Sequence, residues 1–154
     1  MRPLKKDITT GELLARLFKA THLKDVLENE DIPQPPSFHE HLRQLCRSRG
    51  EIAEHVIKRA GIDRTYGHQL FSGRRKPSRD KVIQLAFGFG LDVEETQQLL
   101  KVAQQTPLYP KIKRDAAVIY CLARNMEITE AQNVLVDFNL PVLGVEAGRI
   151  RHDR

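Results

Sequence analysis

The sequence predicts an all-α protein, and three observations lead to that prediction. Apolar residues recur at helical spacing in almost every segment, and no stretch alternates strictly between apolar and polar residues as a half-buried strand does. Two capping-box patterns, Ser37 with Glu40 and Asp92 with Glu95, mark the starts of helices. With 154 residues and 40% hydrophobic content, the chain can bury a modest core, as one domain with an appendage.

Residues 1–36 are predicted to form an N-terminal helical appendage and a proline-rich linker. A first helix follows Thr9 or Thr10, and a second lies near Leu23 and Leu27. The first helix carries an apolar stripe formed by Leu13, Leu14, Leu17 and Phe18. Residues 32–36 contain three prolines within four positions, which removes backbone donors and favours an extended course. The stripe can either pack on its own chain or associate with another.

Residues 37–106 are predicted to form a five-helix domain. Its first helix is capped by Ser37, its second runs from about residue 51 to 60, and its third covers residues 64–72. Ser78 caps a fourth helix, for which Gly88-Phe89-Gly90 indicates an end just after Phe87. Asp92 caps the fifth.

Residues 107–143 are predicted to form a C-terminal helical hairpin that repeats the fourth and fifth helices after a shift of 35 residues. The coinciding pairs are Arg79-Asp80 with Arg114-Asp115, Leu91 with Met126, Val93 with Ile128, Glu95 with Glu130, Gln97 with Gln132, and Leu100 with Leu135. A chance similarity between two amphipathic hairpins is the alternative. Residues 144–154 are predicted to be a flexible basic tail.

Residues 60–77 say most about function. Gly61 can adopt the positive φ that a tight turn between helices requires, Asp63 can cap the helix that follows, and Gly73 can end it. Three consecutive cations, Arg74, Arg75 and Lys76, come directly afterwards. This layout is typical of a helix-turn-helix whose second helix enters a DNA groove and whose following loop contacts phosphates.

The segment resembles the phage-repressor-like, or XRE-type, helix-turn-helix transcriptional regulators. The resemblance extends from about Phe38 to about Leu91. It is carried by the turn Ala60-Gly61-Ile62-Asp63, the helix end Leu70-Phe71-Ser72-Gly73 and the loop Arg74-Arg75-Lys76-Pro77-Ser78. It implies a repressor-like five-helix DNA-binding core and sequence-specific binding of double-stranded DNA.

Two positions depart from the pattern of that family. Members usually have a small alanine four residues before the turn glycine and a bulky aliphatic residue of the recognition helix over it, whereas this chain has Ile57 and Gly67. The exchange of sizes conserves volume, so the fold is expected to tolerate it. Ala53 stands where members often have a polar residue that contacts phosphate. These departures keep open an alternative, a repressor-like protein-interaction module that no longer binds DNA.

The positive charge of the chain is concentrated where the motif lies. Residues 37–81 contain 11 basic and 5 acidic residues, residues 1–36 contain 6 of each, and residues 82–154 contain 8 basic and 9 acidic residues. Clustered positive charge beside neutral flanks is the electrostatic pattern of a nucleic-acid-binding face. A solvated surface that is merely basic is the alternative to this interpretation.

The candidate DNA contacts follow from the helical period. If Gly67 and Leu70 face inward, the outward side of residues 64–72 carries side chains that read base edges: arginine binds guanine, glutamine binds adenine, and a threonine methyl contacts thymine. The predicted DNA-binding residues, including the loop cations, are Arg64, Thr65, His68, Gln69, Ser72, Arg74, Arg75 and Lys76. An ordinary solvated helix face is the alternative for the helical ones.

Other classes of function find little support. His39 and His41 are two residues apart and so point to different sides of a helix, and no cysteine pair, phosphate loop or nucleophile motif is present, so we expect no enzyme, metal or cofactor. Lys5, Lys6 and Asp7 stand where a signal peptide would be apolar. We therefore expect a cytoplasmic protein without membrane contact, whose partner is double-stranded DNA.

We also expect a homodimer, since one helix-turn-helix reads only a few base pairs and two half-sites are the usual route to specificity. The apolar stripe of residues 13–18 and the outer face of residues 116–138 are the two candidate surfaces. Packing of either surface onto its own core is the alternative, and an unidentified protein is a further candidate partner.

Overall fold

The computed structural model describes residues 9–28 and 36–144. These residues are all-helical, which confirms the predicted fold class, and they divide into two compact units, one before and one from Pro36. The predicted linker, apart from Pro36, and the predicted tail after Gly144 lie outside the described residues. None of the described helices is both long and apolar enough to cross a membrane.

The N-terminal unit contains two short helices, α1 Thr10–Lys19 and α2 Leu23–Leu27. A capping box starts α1, because the Thr9 hydroxyl accepts from the Glu12 amide and the Glu12 carboxylate accepts from the Thr9 amide. Both helices were predicted from the apolar periodicity. The stripe of α1 is largely open to solvent, with Leu14 49% and Phe18 86% exposed.

The second unit begins with five helices in the predicted order. Their bounds are α3 Phe38–Arg49, α4 Ala53–Arg59, α5 Arg64–Ser72, α6 Arg79–Phe89 and α7 Val93–Val102. The two predicted capping boxes are present, at Ser37 with Glu40 and at Asp92 with Glu95. Together these helices bury the centre of the core, in which Leu42, Val56, Leu70, Leu85 and Leu99 are fully enclosed.

The fourth helix extends two residues beyond Phe87, and of the two glycines that indicated its end, Gly90 is the stop. Gly88 lies inside α6, and the helix ends at Gly90, whose φ is 70°. A Cβ at Gly88 would lie 2.5 Å from the carbonyl oxygen of Val56 and 2.9 Å from the Cβ of Ala60. Gly88 therefore allows α6 and α4 to cross at close range. The local sequence does not reveal this contact.

The chain continues with a helical hairpin, α8 Lys113–Ala123 and α9 Ile128–Asp137. Its helices pack on the preceding pair, because α9 contacts α6 and α8 contacts α7. The contacts that follow confirm the predicted 35-residue repeat.

Two ion pairs, one with a buried aspartate and one half-buried, join the repeats in a reciprocal way. Arg79 at the start of α6 forms a bidentate pair with Asp115 of α8, at 3.0 and 2.8 Å. Arg114 of α8 forms the same pair with Asp80 of α6, at 2.9 and 2.8 Å. Each arginine thus binds the aspartate that follows its own equivalent in the other copy, a relation of the kind that a two-fold axis produces.

The loops after the two hairpins repeat the same hydrogen bonds. Arg79 donates to the carbonyls of Thr106 and Pro107, and Arg114 donates to those of Pro141 and Val142, each 35 residues further on. Gln97 exchanges two hydrogen bonds with the backbone of Leu108. Gln132 does the same with the backbone of Leu143.

The backbone repeats too. Gly90 and Asn125 both adopt positive φ at the turn inside each hairpin, and Gln104 and Asn139 do so after the second helix of each. Asparagine tolerates this region better than most residues, which explains its use where glycine is absent. The repeat is thus one of backbone conformation as well as of side-chain contacts.

Helix α6 also supports the turn between α4 and α5. The buried amide of Gln84 donates to the carbonyls of Ala60 and Gly61, at 3.2 and 3.5 Å. On the other side of Gln84, Gly144 approaches so closely that a Cβ would lie 2.8 Å from the side-chain oxygen of Gln84. The end of the C-terminal hairpin and the helix-turn-helix turn therefore share one supporting side chain.

The interhelical aspartates are held as carboxylates. Burial disfavours the charge of Asp115, but hydrogen bonds from Arg79 and from the amide of Tyr109 outweigh it, so the pKa of Asp115 lies below its usual value. The pKa of Asp80 is lowered in the same way, against burial, by Arg114 and the amide of Gly144.

We predict that Asp115→Ala destabilises the protein by about 3 kcal/mol, because it leaves Arg79 without its buried partner. Glu54→Ala, which breaks an exposed ion pair, should cost much less and is the control. Denaturant unfolding at neutral pH measures both variants. Equal effects would contradict a structural role of the buried pair.

The same pairs predict how stability depends on pH. A carboxylate whose pKa is lower in the folded state than its unfolded value of about 3.9 stabilises the fold above that value. This contribution is lost as the pH falls through the folded pKa. Asp115→Asn should therefore make the free energy of unfolding fall less steeply below about pH 4 than in the wild type. Denaturant unfolding at several pH values measures this, and an unchanged pH profile would contradict the assignment.

Candidate nucleic-acid interface

The helix-turn-helix is formed by α4, the turn at residues 60–63, and α5. Gly61 has φ 69°, and the Asp63 carboxylate accepts from the amide of Tyr66 at 3.1 Å, which caps α5. Gly73 ends α5 with φ 83°. The three local roles predicted for this segment, and the bounds of α5, are confirmed.

Ile57 of α4 packs directly on Gly67 of α5. A Cβ at Gly67 would lie 2.7 and 2.9 Å from Cγ1 and Cδ1 of Ile57, so only glycine fits beneath this side chain. Both residues are buried. The exchange of sizes inferred from the sequence is therefore a real contact, and it sets the distance between the two helices.

Helix α3 limits the other end of α5. A Cβ at Gly73 would lie 2.7 Å from Nδ1 of His39, which in turn is 3.2 Å from the hydroxyl of Ser37. Among residues 9–28 and 36–144, no group of three or more histidine, cysteine or acidic side chains is arranged to hold a metal ion. His39 instead packs against the end of α5.

The outward side of α5 is as the helical period predicts. Gly67 and Leu70 are buried, while most of the predicted readers lie on the exposed side: Arg64, Thr65, His68 and Ser72. Gln69 is half-buried. The Ser72 hydroxyl donates back to the carbonyl of Gln69 at 3.2 Å, so it is engaged within its own helix.

Glu54 at the start of α4 ties two of these side chains together. Its carboxylate accepts from Nε of Arg64 at 2.7 Å and lies 2.6 Å from Nε2 of His68. The hydrogen bonds from His68 and then Arg64 lower the pKa of Glu54. A negative charge therefore lies on the surface that was predicted to face DNA, directly beside two of the predicted contacts.

A second cluster joins the basic loop to α5. The guanidinium of Arg75 lies 4.3 Å from the ring centre of Tyr66, and its Nε donates to the side-chain oxygen of Gln69 at 3.1 Å. Lys81 lies 5.2 Å from the same ring. Arg75 is thus held against the recognition helix, whereas Arg74 and Lys76 are exposed in the loop.

Sequence reasoning missed Glu54 and underestimated Tyr66. Glu54 is one of only five acidic residues in the basic segment 37–81, and this rarity is a signal that could have drawn attention to it. Its partners, ten and fourteen residues away, depend on how α4 crosses α5. Tyr66 packs against the core and also provides a platform for Arg75 and Lys81.

Residues 38–99 match a protein family described as a helix-turn-helix domain. The match covers α3 to α6 and most of α7. No curated protein and no solved structure matches the chain.

The packing of α4 on α5 generates a stability prediction. Gly67→Ile should destabilise the protein by about 1 to 3 kcal/mol, because the new side chain has no room beneath Ile57. Combining it with Ile57→Ala should recover most of that loss. A double-mutant cycle by denaturant unfolding measures the coupling, and additive effects would contradict a direct contact.

Proposed function

We propose that the protein binds double-stranded DNA in a sequence-specific way through α4, the turn and α5, and that it is a transcriptional regulator of the XRE type. The observation that carries this proposal is the exposed polar side of α5 next to a loop of three cations. The helix-turn-helix match of residues 38–99 supports it, as does the excess of positive charge in residues 37–81.

In this proposal the residues divide into two groups. Arg64, Thr65, His68 and Gln69 read base edges in the major groove, because they project from the exposed side of α5. Phosphates are contacted by the remaining residues, Ser72, Arg74, Arg75 and Lys76. The protein would act in the cytoplasm as a homodimer on two half-sites, since one such module reads few base pairs.

A protein-interaction module without DNA binding is the second candidate. The observation that favours it is that Arg64 and His68 are engaged by Glu54, and Gln69 by Arg75. Side chains that already have partners gain less from new ones. These partners are exposed, however, and exposed ion pairs are worth only about 0 to 1 kcal/mol, so a duplex can replace them.

We predict strongly salt-dependent binding to duplex DNA. If about four to six phosphates are neutralised, the slope of log K against log salt should be about −4 to −5. Fluorescence anisotropy of a labelled duplex at several salt concentrations measures the slope. No binding at low salt would leave the interaction module as the function.

Matched lysine variants identify the surface. Lys76→Ala should reduce the slope by about one, because it removes one phosphate contact. Lys101→Ala removes the same charge from the exposed end of α7 and should leave the slope unchanged. Equal losses from both variants would mean that binding depends on net charge and not on this loop.

Glu54→Gln is predicted to strengthen DNA binding about two- to fivefold on any duplex. The substitution keeps the shape of the side chain but removes a charge that repels phosphate and attracts Arg64 and His68. Glu94→Gln, on the exposed surface of α7, is the control for net charge. Weaker binding by Glu54→Gln would contradict a competing role and indicate that Glu54 orients Arg64 for its contact.

A further inference from the structure

An open groove of about 700 Å³ lies along the C-terminal hairpin, between α8 and α9. Its lining is mainly apolar and includes Ala116, Ala117, Tyr120, Val134, Phe138 and Leu140. Tyr120 is 48% exposed and Phe138 is 72% exposed. Two large aromatic side chains on one open apolar surface are typical of an interaction site.

The first copy of the repeat contains a surface equivalent to this groove. After the 35-residue shift, Ala117, Tyr120 and Val134 correspond to Val82, Leu85 and Leu99 of the first hairpin. Those three residues are completely buried. Helix α4 packs on α6, which carries Val82 and Leu85, and α3 packs on α7, which carries Leu99. The first copy of this surface is therefore covered by helices, while within residues 36–144 the second copy is open.

The groove is held in a defined shape. The guanidinium of Arg124 stacks on the ring of Tyr120, 3.5 Å from its centre, and donates to the Tyr120 carbonyl. Below the groove, Val118, Leu122 and Leu135 belong to the buried core. A partner would meet a surface that is already ordered, which lowers the entropic cost of association.

We propose that the partner is a second copy of this chain, bound through the same groove about a two-fold axis. Residues 110–144 contain four basic and four acidic residues, so two copies of this surface can meet without net repulsion. The helix-turn-helix segment, with 11 basic and 5 acidic residues, cannot. The neutral surface also excludes nucleic acid as its occupant, since that binding depends on positive charge.

The charges at the ends of the hairpin complement one another. Because a short connection joins α8 to α9, the two helices run antiparallel, and the start of α8 lies beside the end of α9. Exposed Lys113 and Asp137 are therefore at one end of the groove, and exposed Arg124 and Glu127 are at the other. A two-fold axis along the groove keeps each end of one copy against the same end of the other, so Lys113 lies opposite the partner's Asp137, and Arg124 lies opposite the partner's Glu127.

This inference names the surface of the dimer in the proposed function, but it can be tested without DNA. Sedimentation of the full-length protein should show a dimer at tens of micromolar. Phe138→Ser should weaken that dimer at least tenfold, because it removes an exposed aromatic anchor from the groove. A monomeric wild-type protein, or an unchanged dimer in Phe138→Ser, would overturn the proposal.

Val136→Ser is the matched control. Val136 lies on the same helix and is 58% exposed, but it does not line the groove, so its loss should leave the dimer unchanged. Circular dichroism melting should show both variants folded, as expected for substitutions of exposed residues. If Val136→Ser weakened the dimer as much as Phe138→Ser, the groove would not be its surface.

A charge reversal tests the pairing at the ends of the groove and needs no apolar substitution. Lys113→Glu should weaken the dimer about threefold or more, and adding Asp137→Lys should restore it, because each lysine lies opposite the aspartate of the other copy. A double variant as weak as the sum of its single variants would exclude this arrangement.

Binding to a random duplex of about one helical turn at low salt separates this proposal from the proposed function. Phe138→Ser should bind that duplex like wild type, because a duplex of this length has room for only one helix-turn-helix. A stable wild-type dimer that binds no duplex would uphold the groove and refute DNA binding. A monomer that binds the duplex would do the reverse.

Discussion

Helix α6 fixes both halves of residues 36–144 through three successive contacts. At its start, Arg79 and Asp80 form ion pairs with Asp115 and Arg114 of the C-terminal hairpin. In its middle, Gln84 holds the carbonyls of the helix-turn-helix turn, and near its end Gly88 lets α4 cross at close range. Because one rigid helix of 11 residues makes all three contacts, the turn and the hairpin are positioned together. The orientation of α5 therefore depends on these contacts of α6.

Most of the fold was predictable because its signals are local or repeated. Capping boxes mark the first turn of a helix, so the starts of α3 and α7 could be predicted from the sequence. The repeat was visible because the same contacts require the same side chains in both copies. Gly88 and Glu54 were not predictable in the same way. Their roles depend on the angles at which α6 and α5 cross α4, and no single segment encodes such an angle.

The candidate interface is positively charged, and it also contains the hydrogen-bond acceptors that bind its own basic side chains. Glu54 and Gln69 hold Arg64, His68 and Arg75 in defined positions while the surface is free. Fixed side chains lose less conformational entropy on binding than mobile ones, which favours selective contacts. In the proposed complex, bases or phosphates would replace these acceptors. Internal pairing would then lower the affinity for any duplex and raise the dependence on one that offers suitable acceptors.

The two copies of the hairpin differ mainly where their surroundings differ. Leu85, which is buried in the first copy, and Ala103, which is half-buried there, are replaced by Tyr120 and Phe138 in the second. Phe138 projects from a surface that no helix of residues 36–144 covers. Tyr120 keeps its hydroxyl available to water, so it tolerates exposure better than leucine would. A purely structural repeat would place polar residues at such exposed positions. The aromatic residues found there are those expected if the second copy, like the first, is completed by other helices.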